Sequence, residues 1–202
     1  MKLYWYWSFN PQKCRLALEE LGIPYERIEV DLFKREQREP PFRALNPNGK
    51  VPLLDDDGFL LWESNAILTY LGERESRLWP QDAQGRGNAA RWLFYETSTL
   101  AERIGTVWFS ETVLRRAGRN VDDAAIEKAR ADLVRPIDII NTNLTAHAWM
   151  LGNAFTLVDC CYGAVLAALD AGGFDFAPFP AVRRFLSAVR ARAAFVASEF
   201  VY

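Results

Sequence analysis

Residues 51–71 read VPLLDDDGFLLWESNAILTYL. Two short apolar runs flank Asp57-Gly58, a dipeptide that favours the tight turn of a β-hairpin. The second run ends at Glu63-Ser64, where the apolar spacing changes from strand-like to helical. Ser64 reads as a helix N-cap, Ile67, Leu68 and Leu71 point inward, and Gly72 lies near the end. A hairpin that runs into a helix needs further strands and another layer to bury its apolar face. Those strands have to come from upstream.

Upstream, KLYWYW at 2–7 reads as an aromatic strand. Ser8 and Phe9 follow. Asn10 reads as an N-cap and Pro11 as the first helical residue, where a missing N–H costs nothing. Cys14, Ala17, Leu18 and Leu21 form the buried stripe of that helix, and Gly22 ends it. YERIEVDL at 25–32 alternates, with Ile28, Val30 and Leu32 on one face of a second strand. The stretch 35–49, REQREPPFRALNPNG, is polar and turn-rich, with one short helix around Phe42–Leu45. The order is β-α-β-(α)-β-β-α. It predicts a four-stranded mixed sheet with helices on its faces: a parallel first pair and an antiparallel last pair.

Downstream the composition changes. Residues 77–87, RLWPQDAQGRG, read as a connector, and everything after them is helical. Leu93, Leu100, Ile104 and Val107 trace one face. Ile126, Ala129, Leu133, Ile137, Ile140 and Leu144 trace another, in a helix that Pro136 is expected to bend. Thr156 and Asp159 make a capping box, with Phe155 and Cys160 spaced as its hydrophobic staple. The helix they open, LVDCCYGAVLAAL, carries almost no charge and reads as the buried centre of a bundle. Val182, Phe185 and Val189 stripe the last long helix. The predicted division is an α/β domain over 1–77, a linker over 78–87 and an all-helical domain over 88–202.

Half of the residues are hydrophobic and a quarter are charged, enough for a packed core, and the net charge of −2 comes without a basic, aromatic-interleaved patch. That argues against a nucleic-acid partner. No apolar run has membrane-spanning length, and the start lacks a signal peptide, so a cytoplasmic location is expected. The three cysteines, two of them adjacent in an apolar helix, read as buried thiols. The single His147 reads as a helix-end or core residue. With no Cys-x-x-Cys, Gly-x-Gly-x-x-Gly or P-loop, the sequence argues against zinc, dithiol and nucleotide chemistry, and no metal is expected.

Three local features of the first part remain. Ser8 and Asn10 lie where a strand meets a helix start; they read either as an ordinary turn or as donors to an anion such as a thiolate. Asn48-Gly49-Lys50-Val51-Pro52 is either a loop entering a strand or a docking edge. If the Val51–Pro52 bond is cis, Val51 can pair through its backbone with a peptide-like ligand, and Lys50 offers a cation to a carboxylate. Glu63 and Ser64 are either a helix cap beside a surface acid or a clamp for an amino acid's ammonium and carboxylate. Jointly they describe a receptor for a small acidic peptide with a thiol in the middle.

The stretches SFNPQKCRLALEELGIPYE, NPNGKVPLL, ESNAILTYL, LWPQD, AFTLVDCCYGAVL and FPAVRRFLSAVRARAAF occur in an order and spacing that resembles the cytosolic glutathione S-transferases, serine-type and bacterial-like, along essentially the whole chain. The resemblance implies a thioredoxin-like N-terminal domain followed by a helical-bundle domain. It also implies roles. Ser8 would bind and activate the glutathione thiolate, with Asn10 as a second donor. Lys50 would meet the glycyl carboxylate. Val51, held by a cis Pro52, would pair with the cysteinyl unit. Glu63 and Ser64 would hold the γ-glutamyl end, and Asp159 would be structural. Glutathione would be a co-substrate, without a metal. The partner substrate would be a hydrophobic electrophile held between the domains by candidates among Trp7, Phe9, Trp92, Tyr95, Trp108 and Phe109, with the Phe200–Tyr202 region covering it. A homodimer and a role in detoxification are implied as well.

The sequence also departs from the family pattern. Tyr4 and Tyr6 read as lying within the first strand, so neither stands at a tyrosine-type catalytic position. The cysteine of glutathionylating members would fall near Ser8 or Asn10, and neither is Cys. Cys14 lies a turn into the helix. Arg192-Ala193-Ala194 replaces the frequent Arg-Pro-Ala. Glutathione-dependent peroxidase or disulfide-bond reductase activity, and non-catalytic ligand binding on the same fold, are the alternatives to conjugation. Ser8, Lys50, Pro52, Glu63 and Ser64 together favour an enzyme.

Overall fold

The computed structural model describes residues 1–198. Strand β1 (Lys2–Trp5) sits inside the sheet. It pairs in parallel with β2 (Glu26–Glu29) and antiparallel with β3 (Leu53–Asp56), which pairs antiparallel with β4 (Phe59–Trp62); the order is β2-β1-β3-β4. This is the mixed sheet expected from the hairpin and the strand–helix–strand segment. β2 is shorter than the alternation in 25–32 implies. It is an edge strand, mostly exposed, and only Val30 beyond it continues the pairing, donating its N–H to Trp5 O at 2.9 Å. Val30 packs with Phe42 and Leu53 in a small core on one side of the sheet.

Helix α1 (Phe9–Leu21) runs down the other side and ends at Gly22, whose φ of 67° is the left-handed conformation that glycine adopts freely. Its start differs from the sequence reading. Ser8, in extended conformation, is the N-cap, and Asn10 and Pro11 are the second and third helical residues. A proline is tolerated there because all the first-turn N–H groups lack helical partners. α1 is also more enclosed than one stripe requires. It packs against β1 and against helices at 64–75, 157–171 and 193–197, so Gln12, Lys13 and Arg15 are buried along with the apolar face.

After α2 (Pro40–Leu45), helix α3 (Ser64–Glu75) begins one residue earlier than read: Glu63 is its N-cap, and Ser64 is its first helical residue. Near the end of α3, a Cβ on Gly72 would stand 2.6 Å from the Trp79 ring. Gly72→Ala is therefore expected to lower stability by about 1–3 kcal/mol, read as a shifted urea midpoint. Gly87→Ala is the control, because an added Cβ there meets nothing within 4 Å; it is expected to be neutral or stabilising.

Helix α4 (Ala83–Tyr95) opens inside the stretch read as a connector, with Asp82 accepting from Gly85 N–H at 2.8 Å. A π-helical turn (Glu96–Leu100) leads into α5 (Ala101–Trp108), and a second (Phe109–Arg115) follows it. α6 (Asp123–Ala146) carries Pro136 within one continuous helix. α7 (Leu157–Ala171) is buried from Leu157 through Leu169 behind the Thr156–Asp159 capping box. α8 (Pro180–Arg190) and α9 (Ala193–Ala197) close the bundle. Arg192 pairs with both carboxylate oxygens of Glu20 and lies over the Phe155 ring at 3.7 Å, tying the chain end to α1. Phe200 and Tyr202, read as covering a pocket, lie outside the described residues.

Candidate active site

Three segments converge on one cleft. The first is the start of α1. An N-cap serine ordinarily accepts from the N–H of the second or third helical residue. Here the third is Pro11, which has no N–H, and the Ser8 hydroxyl makes no capping hydrogen bond. The second is the loop into β3. Asn46 is 1% exposed; its amide donates to Lys50 O at 2.7 Å and its Oδ1 accepts from Asn48 N–H at 3.0 Å. Gly49, at φ 62°, is required for a close approach: a Cβ there would meet Gln37 O at 2.9 Å. The Val51–Pro52 bond is cis. The third is the start of α3. Glu63 holds φ 75° and ψ 113°, a sparsely populated conformation for a non-glycine residue, directly before a helix N-terminus. Ser64 is buried beneath it. Its hydroxyl donates to Asn10 Oδ1 at 3.4 Å and accepts from Lys13 Nζ at 3.4 Å.

The resulting cleft, about 110 Å³, is lined by Asn10, Asn46, Asn48, Lys50, Val51, Pro52, Trp62, Glu63 and Ser64. Six of the seven residues singled out from the sequence thus share one cleft. Ser8 is not in its wall; it stands two residues before Asn10 at the same helix end. Asn48 and Trp62 stood at the edges of the segments singled out but were given no role, and Asn46 was not anticipated. The two asparagines carried a signal, Asn-Pro-Asn-Gly, but one that reads only as a turn. Lys13, beneath Ser64, carried none.

The aromatic candidates separate. Trp7 and Phe109 are exposed. Phe9 and Trp108 are nearly buried and meet edge to face at 5.7 Å, one from the α/β part and one from the helical part. Trp92 is core, packed on Tyr95 and Tyr162. Tyr6 lies after β1, not within it; burial and the neighbouring carboxylates of Asp31 and Glu29 raise its pKa. Burial pushes the Cys14 thiol up to about 12 and the Cys160 and Cys161 thiols well above their usual range, which leaves them unreactive. Among the described residues no cluster of His, Cys, Asp and Glu is arranged for a metal ion, and no helix is long and apolar enough to cross a membrane.

Comparison with known proteins agrees with this geometry. The family model "Glutathione S-transferase, N-terminal domain" matches residues 7–74, and "Glutathione S-transferase, C-terminal domain" matches 123–188. The Escherichia coli K12 protein Glutathione S-transferase GstB is 30% identical, over 93% of this chain and 91% of its own length. The Disulfide-bond oxidoreductase YfcG of the same strain is 29% identical, over 95% of this chain and 91% of its own. The crystal structure of a glutathione transferase from Burkholderia graminis, with two glutathione molecules bound per subunit, superposes with a TM-score of 0.87 at 30% identity, over 98% of this chain and 86% of that one. The chain belongs to the glutathione S-transferase family.

Proposed function

We propose that the protein is a glutathione transferase whose cleft holds the peptide and whose Ser8 hydroxyl stabilises its thiolate. The observation that carries this reading is the convergence of Asn10, Lys50, Val51, Pro52, Glu63 and Ser64 on one cleft. Ser64 and the α3 N-terminus suit the γ-glutamyl carboxylate, and Glu63 suits its ammonium. Val51 offers main-chain groups to the cysteinyl unit, and Lys50 offers a cation to the glycyl carboxylate. The cleft accommodates one end of the tripeptide. Its thiol then lies toward Ser8 and Asn10, whose donation favours the thiolate. The thiolate attacks an electrophilic carbon of an apolar substrate near Trp7, Phe9, Trp108 and Phe109. The thiol proton leaves to solvent, and a leaving group, if present, takes the displaced electron pair. Proximity and hydrogen-bond donation are the protein's contribution.

The test is to titrate glutathione into the protein and follow thiolate absorbance against pH. A thiolate band near neutrality supports the reading. Absence of binding overturns it and leaves a fold kept for another ligand.

A second reading, disulfide-bond reduction, is favoured by the similarity to YfcG and to a structure holding two glutathione molecules per subunit. Two glutathione thiols would be oxidised to glutathione disulfide while a substrate disulfide is reduced to two thiols. Turnover of a small disulfide faster than of an aryl halide or a hydroperoxide would favour it over conjugation and peroxidase activity. The same proposal includes a cytoplasmic, detoxifying homodimer, with Phe94, 73% exposed on α4, as a candidate contact. Phe94→Glu is expected to shift the sedimentation of a dimeric wild type toward the monomer; an unchanged profile removes Phe94 from the interface.

A further inference from the structure

A buried ion pair beneath the cleft has no part in the reading above. Lys13 of α1 and Glu96, which opens the first π-helical turn, are both 1% exposed, with Nζ 2.8 Å from Oε2. Withdrawing two charges from water is costly, and apolar replacements of such buried pairs are often neutral or stabilising. The ion pair lies where the α/β part meets the helical part.

What the pair adds is direction. An ammonium only donates. Lys13 gives one N–H to Glu96 and another, longer one to Ser64 Oγ at 3.4 Å. That engages a Ser64 lone pair, so the single Ser64 proton points away from Lys13, toward Asn10 Oδ1 at 3.4 Å. With its oxygen accepting, Asn10 is left with its NH2 as the group facing a ligand. On the other side, Asn65, the second residue of α3, donates to Glu96 Oε2 at 2.9 Å. The pair therefore grips the start of α3 and sets the polarity of two cleft residues. The other titratable groups facing it are Cys14 on the same helix and Cys161 on α7, both held protonated by burial. The pair is neutral overall, so its influence on the cleft is directional rather than Coulombic.

We infer that Lys13 and Glu96 are positioning residues that fix the start of α3 and keep the Ser64 proton on Asn10 Oδ1, so that the main-chain N–H of Ser64 and the Asn10 NH2 are the donors presented to the anionic groups of the bound peptide. This rests on the cleft being the glutathione site and adds to it how the γ-glutamyl end is selected.

The test compares two ligands, S-hexylglutathione and S-hexylcysteinylglycine, the second lacking the γ-glutamyl unit. Each is titrated into wild type, Ser64→Ala and the charge-free pair Lys13→Met/Glu96→Gln. A second pair, Lys13→Gln/Glu96→Gln, replaces the first if urea denaturation shows it unfolded. Wild-type preference for the full peptide is expected to fall about tenfold in the charge-free pair, the size of one charge-assisted hydrogen bond. Affinity for the truncated peptide should stay within about twofold. Adding Ser64→Ala to the pair should cost nothing more. An equal loss for both ligands means loosened packing and overturns the inference, as does an unchanged preference. A wild type that binds neither ligand overturns the glutathione reading itself, and the positioning role with it.

Discussion

Ser8→Ala is expected to raise the pKa of bound glutathione by about 1–2 units, because one hydrogen bond to a charged group is worth about 1.5–3 kcal/mol. Conjugation at a pH below the mutant's thiol pKa should drop about 10–100-fold, and should recover as the pH rises through the new pKa. The expectation is specific because of Pro11. A serine that caps a helix loses about 1 kcal/mol of stability when replaced by alanine. Ser8 makes no capping bond: the third helical residue, Pro11, has no N–H to give, and the N–H of the second, Asn10, is not engaged by the hydroxyl, so its removal should leave the urea midpoint nearly unchanged. A stable mutant with a raised thiol pKa identifies Ser8 as the thiolate donor. A destabilised mutant with an unchanged thiol titration would return Ser8 to the role of a turn residue and pass thiolate activation to Asn10.

Asp159→Ala is expected to cost about 3–5 kcal/mol, a large part of the total stability of a domain. The carboxylate is fully buried and accepts from Met150 N–H at 2.7 Å, Thr156 N–H at 2.8 Å and the Thr156 hydroxyl at 2.9 Å. Truncation leaves those donors in the core without a partner, at the start of the helix around which the bundle is packed. Thr156→Ala should cost only about 1 kcal/mol, since the two backbone donors keep their acceptor. Urea denaturation of both variants checks the ratio; equal costs would show that the box acts only through its cap. Burial pushes the Asp159 carboxyl up to about 6 from 3.8. The folded chain therefore holds a proton that the unfolded chain has released between those values. The group's contribution to stability falls as pH rises from about 4 to about 6 and is level above, a slope that Asp159→Asn should lack.

Features set by local chemistry were legible in the chain. Asp57-Gly58 between two apolar runs makes the hairpin. The 3.6-residue stripe from Ile126 to Leu144 in α6 is buried at each position, and Thr156 with Asp159 makes the capping box of α7. Helix starts were less legible. Asn10 and Ser64 both favour N-caps by residue type, yet the caps are Ser8 and Glu63. Propensity ranks residues within a few positions, but where the strand stops decides which of them turns first.

The sequence by itself determined the strand and helix order, the buried centre of the bundle and the residue types of the cleft, because each depends on neighbours within a few positions. Only the tertiary structure decided that α1 is enclosed on all sides, that Ser8 stands beside the cleft wall rather than in it, and that Lys13 meets Glu96 beneath Ser64. Lys13 and Glu96 are 83 residues apart. No periodicity links them; they meet because α1 is packed between the sheet and the helical bundle, where a charge withdrawn from water must find its partner.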